Sequence, residues 1–96
     1  MEQTIYLSCL FDYYSELLTE KQKHFFEDYY FNNLTLAEIA ENNNISRNAV
    51  HKTIKEVETK LFDYENKLKL FAKYNQITKI INTLDEEIKN KIIELI

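Results

Sequence analysis

The sequence predicts an all-α fold: a helix-turn-helix, a long helix after the turn, and additional helices at both ends. Three observations carry that expectation. The 96 residues contain no Gly and no Pro, the residues that most readily punctuate strands, hairpins and tight turns. Apolar residues recur at helical spacing along nearly the whole chain. Ser/Thr-x-x-Glu/Gln patterns stand where new helices would open.

The first helix is expected over about residues 3 to 18. Tyr6, Leu10, Tyr13, Tyr14 and Leu17 fall on one stripe at i, i+4, i+7, i+8 and i+11, and Leu7, Phe11 and Leu18 widen it. So broad an apolar girth calls for more than one neighbour. Thr19-Glu20-Lys21-Gln22 fits a capping box and opens a second helix, which runs to about Phe31 with Phe25, Phe26, Tyr29 and Tyr30 as its aromatic face. Asn32-Asn33 stops it. Thr35-Leu36-Ala37-Glu38 is a second capping box, and Leu36, Ile39 and Ala40 form the inner face of a short third helix that ends at Asn42-Asn43-Asn44.

Ser46 is the next N-cap, with a long helix from Arg47 to about Phe71 or beyond. Its apolar residues Val50, Ile54, Val57, Leu61, Tyr64, Leu68 and Phe71 alternate steps of four and three, a 3.5-residue repeat. At 1.5 Å per residue it would reach roughly 40 Å. Glu56–Lys60, Asp63–Lys67 and Glu65–Lys69 are i, i+4 pairs in the better order. In the tail, Ile77, Ile80, Ile81, Leu84, Ile88, Ile92 and Leu95 keep helical phase. Thr83-Leu84-Asp85-Glu86 resembles a third capping box, which places a break near Asn82 and a last helix over about 84–95. One continuous tail helix is the competing arrangement. Residues 1–96 read as a single helical domain, with the helix-turn-helix core at about 20–60 and a C-terminal helical extension at about 74–96.

Composition narrows the function classes. The net charge is −4, whereas a general nucleic-acid binder is strongly basic, so either any such site is a local patch or nucleic acid is not the main ligand. Cys9 is the only cysteine, which excludes an intrachain disulfide and suits a small buried hydrophobe. Met1-Glu2-Gln3-Thr4 does not open a signal peptide, and no apolar run approaches a membrane span. The expected location is the cytoplasm, without membrane insertion. His24 and His51 stand far apart with no ligand-like partner, so no metal site is expected. No nucleophile, base and orienter group together and no phosphate loop exists without Gly, so neither an enzyme nor a cofactor is expected.

The segment Leu34 to Ile54 fills each slot of a helix-turn-helix in order. Ala40 is the small residue facing the partner helix, Asn44 the turn residue able to take positive φ, Ile45 the apolar plug and Ser46 the cap. The outward face of the following helix then offers Arg47, Asn48, His51, Lys52 and Lys55, side chains suited to phosphates or base edges. The seam residues Leu61, Tyr64, Leu68 and Phe71 need cover beyond the helix-turn-helix. Either the first and last helices of the same chain supply it, or a second copy does. In a parallel pair Lys60 would oppose the partner copy's Glu65. The broad first helix is another surface on which two copies could meet.

Leu34-Thr35-Leu36-Ala37-Glu38-Ile39-Ala40-Glu41, followed by Ile45-Ser46-Arg47, resembles region four of bacterial sigma factors. Asn44 stands where that pattern has Gly, and His51-Lys52 where it has a second arginine. The wider context, Leu10-Phe11-Asp12-Tyr13-Tyr14, Leu17-Leu18-Thr19-Glu20-Lys21-Gln22, Tyr29-Tyr30, Ser46-Arg47-Asn48-Ala49-Val50 and Tyr64-Glu65-Asn66-Lys67-Leu68, resembles the YlxM family over about residues 5 to 75. That resemblance implies a non-enzymatic accessory or regulatory protein of the signal recognition particle pathway. Its partners would be the particle's GTPase and/or its RNA. A sequence-specific DNA-binding regulator, acting as a homodimer on two half-sites, is the alternative.

Overall fold

The computed structural model describes residues 2–96; Met1, the first residue of the Met1-Glu2-Gln3-Thr4 segment read above, lies outside the described residues. The described residues form helices and connecting turns: α1 (Glu2–Tyr14), a 3-10 turn (Ser15–Leu17), α2 (Glu20–Tyr30), α3 (Leu36–Asn43), α4 (Arg47–Leu68), α5 (Leu70–Ile81) and α6 (Glu86–Leu95).

α1 is shorter than the stripe suggests. It ends at Tyr14 and tightens into the 3-10 turn. A 3-10 turn has 3.0 residues per turn rather than 3.6, so side chains beyond Tyr14 change phase. Leu18 therefore turns inward, and Leu17, expected on the inner stripe, is 52% exposed. The residues that widen the stripe are the ones buried: Leu7, Phe11 and Leu18 join Leu10 and Tyr14 in the core, while Tyr6 is 36% exposed.

Both capping boxes close. The Thr19 hydroxyl accepts from the Gln22 N–H at 3.1 Å, and the Gln22 side chain accepts from the Thr19 N–H at 3.0 Å. Thr35 and Glu38 repeat the exchange at 3.1 and 2.9 Å. Each satisfies two backbone donors that a helix start leaves without partners. α3 ends on Asn44 at φ 55°, ψ 43°, and the Ile45 N–H donates back to the Ala40 carbonyl at 3.1 Å. That is the left-handed C-terminal motif usually built on Gly. It turns the chain within three residues, and the Ser46 hydroxyl then accepts from the Ala49 N–H at 3.0 Å to start α4.

The core has two clusters threaded by α4. Val50 and Ile54 pack with Phe25, Ile39 and Ala40, with Ile45 against them. Val57 and Leu61, one and two turns further on, pack with Leu7, Leu10, Phe11, Tyr14, Leu18 and Phe26. The neighbours Phe25 and Phe26 thus serve different clusters. Phe26 stacks on Phe11 at 4.5 Å and on Tyr30 at 4.5 Å. Tyr29, on the same predicted aromatic face, is 37% exposed. Each fully buried Leu, Val or Phe contributes about 1.5–3 kcal/mol.

The long helix differs from expectation at its end. α4 stops at Leu68, because Lys69 takes φ 56° and starts α5 in a new direction. α4 is therefore about 33 Å long, and the C-terminal extension begins at Leu70, ahead of residue 74. The tail break at Asn82 forms, but the third capping box does not. Asp85, not Thr83, caps α6, accepting from the Ile88 N–H at 3.0 Å, while the Thr83 hydroxyl donates to the Ile80 carbonyl at 2.9 Å. A carboxylate at a helix start is favoured by the dipole over a hydroxyl.

Candidate nucleic-acid interface

The α2–α3–α4 packing decides which side of α4 is presented. Burial of Val50, Ile54 and Val57 turns the residues between them outward, and Arg47, Asn48, His51, Lys52 and Lys55 are all exposed. Their spacing, i, i+1, i+4, i+5 and i+8, keeps them on one side of the helix. No acidic residue stands in the first turn of α4, so its positive dipole end and the Arg47 guanidinium act together on an approaching anion. On α3, the Glu38 carboxyl is occupied by the Thr35 N–H, which holds it below its ordinary range.

The five residues are not equivalent. Lys55 Nζ lies 3.3 Å from Glu58 Oε1, and Glu58 also accepts from the Tyr30 hydroxyl. Burial and then that hydrogen bond push the Tyr30 phenol well above its ordinary value, so it stays a donor. Lys55 thus stays exposed but is paired along its own helix. Arg47 and Lys52 form no ion pair among the described residues. Lys52 and Lys55 border an open groove of about 480 Å³ with Gln22, Glu56, Thr59 and Lys60. There Lys60 Nζ donates to Gln22 Oε1 at 3.4 Å, in place of the expected pair with Glu56.

The four seam residues fare differently. Leu61 is fully buried within the chain, so its surface is already taken. Tyr64 is half-buried, its hydroxyl 3.4 Å from the Leu17 carbonyl. Phe71 packs on Tyr6 and Tyr13, with ring centres 5.7 and 6.1 Å away. Leu68 remains 46% exposed. Intrachain cover therefore accounts for three of the four.

The acids flanking that seam are also engaged inside the chain. Glu65, expected as an exposed partner of Lys69 or of another copy's Lys60, is buried. Its carboxylate accepts from the Tyr14 hydroxyl at 2.6 Å, the Phe71 N–H at 3.1 Å and the Ala72 N–H at 3.0 Å. The Tyr14 oxygen in turn accepts from the Leu70 N–H at 3.1 Å. Glu65 and Tyr14 thereby cap the first turn of α5 across the bend. Burial first, and then the Glu65 hydrogen bond, push the Tyr14 phenol up to about 12. Sequence reasoning passes over this node because the bend falls on a lysine, and Tyr14 and Glu65 are 51 residues apart.

The helix-turn-helix profile described as YlxM / p13 like, UPF0122, matches residues 1–96. Among curated proteins, a UPF0122 protein of Malacoplasma penetrans is 44% identical over 95 residues, covering 93% of this chain and 89% of the relative. One of Fusobacterium nucleatum is 40% identical over 96 residues, covering 100% and 93%. Another, of Halalkalibacterium halodurans, is 41% identical over 88 residues, covering 92% and 81%.

Proposed function

The chain belongs to the YlxM / p13-like helix-turn-helix family, UPF0122, and on that premise we propose that it is a non-enzymatic accessory protein of the signal recognition particle pathway. In this reading it works in the cytoplasm, contacting the particle's RNA through the first turns of α4 and biasing the particle's GTPase between states. The observation that supports the nucleic-acid contact is the exposure of Arg47, Asn48, His51 and Lys52 around a helix start free of acidic residues.

The magnitude is modest. Three or four phosphate contacts give a salt slope of about −3 to −4. With a net charge of −4, long-range attraction adds little, so a single copy binds weakly and contact geometry carries the discrimination. No membrane attachment is invoked, and no described helix is long and apolar enough to cross a membrane.

The test is anisotropy titration of labelled particle RNA and of mixed-sequence duplex DNA, with wild type and an Arg47→Ala/Lys52→Ala variant at several salt concentrations. RNA binding is expected to weaken at least about tenfold in the variant, with a slope shallower by about 2. GTPase turnover by the particle's GTPase is measured alongside. Salt-sensitive binding of the duplex DNA in preference to the RNA would move the reading to a DNA-binding regulator. Binding unchanged in the double variant would reject the α4 face for either ligand. A GTPase rate insensitive to the protein, with no RNA binding, would reject the pathway assignment.

A further inference from the structure

From the α5–α6 hairpin we infer that this protein self-associates through the hairpin's outer apolar face, two copies meeting about a twofold axis. The face begins as a deficiency of the single chain. α6 has ten residues and none of them is buried. A helix that short is marginal in water unless its apolar stripe is covered. Ile88, Ile92 and Leu95 lie at i, i+4 and i+7 on that stripe, yet Ile88 is 47% and Leu95 85% exposed. Ile80, near the end of α5, is 69% exposed, and Leu84 in the connecting turn is 40% exposed. Within the hairpin only Ile81 is buried. The radius of gyration is 16.7 Å, against about 12.5 Å for a compact chain of this length, and the long axis is 53 Å against 25 and 23 Å.

Charge identifies the occupant. Residues 70–96 carry four lysines (73, 79, 89 and 91) and four acids (85, 86, 87 and 94), which sum to zero. Residues 1–69 carry eight basic and twelve acidic residues, so the whole net charge of −4 resides there. A twofold contact sets a surface against itself. On the body that would bring net negative charge together, whereas on the hairpin it brings together a neutral face of mixed sign. A face without net charge also gives no electrostatic attraction to nucleic acid, an anionic membrane or a strongly charged protein. The second copy is the partner this chemistry fits.

α4 separates Arg47 from the start of the hairpin by about 33 Å, so joining two hairpins leaves both Arg47 faces open. The association needs no nucleic acid, and its test is independent of the proposed function.

Sedimentation velocity on the full chain without nucleic acid, up to roughly 200 µM, covers associations of micromolar strength. Wild type is expected to reach twice the monomer mass. Ile88→Glu/Leu95→Glu should raise the dissociation constant about 100-fold. Ile80→Glu, on the other helix, guards against simple loss of α6 and should also weaken association. Leu17→Glu, an exposed apolar residue outside the hairpin, should leave it unchanged, and circular dichroism confirms retained helicity in each variant. Wild type that stays monomeric throughout would overturn the inference. So would a dimer indifferent to the hairpin variants, or one abolished as fully by Leu17→Glu.

Discussion

Replacing Glu65 with Ala removes the node that bends α4 into α5, and its cost can be worked from the contacts. Three donors lose their acceptor: the Tyr14 hydroxyl at 2.6 Å and the Phe71 and Ala72 N–H groups at 3.1 and 3.0 Å. A hydrogen bond to a charged group contributes about 1.5–3 kcal/mol, and loss of a helix cap costs about 0.5–2 kcal/mol. The effects do not simply add, because water reaches the half-buried start of α5 once the carboxylate is gone. Tyr14 is 1% exposed, so water does not recover its hydroxyl. Against these losses stands relief of the carboxylate's own burial, which has no paired cation among the described residues. With three donors satisfying it, the hydrogen bonds outweigh that relief, and the net expectation is a loss of about 3 kcal/mol. Glu65→Gln keeps an acceptor oxygen and should lose about half as much. Urea unfolding monitored by far-ultraviolet circular dichroism measures each value, with hydrogen exchange at the Phe71 and Ala72 amides as the local readout. A Tyr14→Phe/Glu65→Ala cycle should show coupling above about 1 kcal/mol. Glu65→Ala within about 0.5 kcal/mol of wild type, or full additivity in the cycle, would refute the capping role.

Titration and turn geometry give two further expected outcomes. The Tyr14 phenol is raised from 10.0 to about 12 by burial and by Glu65. The folded state therefore favours the protonated phenol. Its stabilisation is complete below about pH 10 and is lost as the pH climbs through about 12, so stability in that window should fall more steeply for wild type than for Tyr14→Phe. Equal slopes would count against it. At Asn44, φ 55° makes Gly the better residue: Asn44→Gly should be neutral or stabilising by up to about 1 kcal/mol, and Asn44→Val destabilising by about 1–2 kcal/mol. Thermal unfolding of the two variants reads the difference, and the reverse order would mean that the turn does not hold this conformation.

The parts of this fold that were legible in the sequence depend on residues within four or five positions of one another. Thr19 with Gln22, Thr35 with Glu38 and Ser46 with Ala49 are caps that any helix start would make. Asn44 and Ile45 close the turn through backbone atoms of Ala40 and Glu41. The period that buries Val50, Ile54 and Val57 also places Arg47, His51 and Lys52 outside. Tertiary structure alone decided the rest. Lys69 and its neighbours favour continuing a helix, and the bend stands because Glu65 and Tyr14, far apart in the chain, together cap the start of α5. Lys60 reaches Gln22 on α2 instead of Glu56 on its own helix, because the packing brings α2 alongside. Caps and turns act over one helical turn and leave a local trace in the sequence. A buried carboxylate is set by whichever donors the packing delivers, and those donors have no fixed spacing.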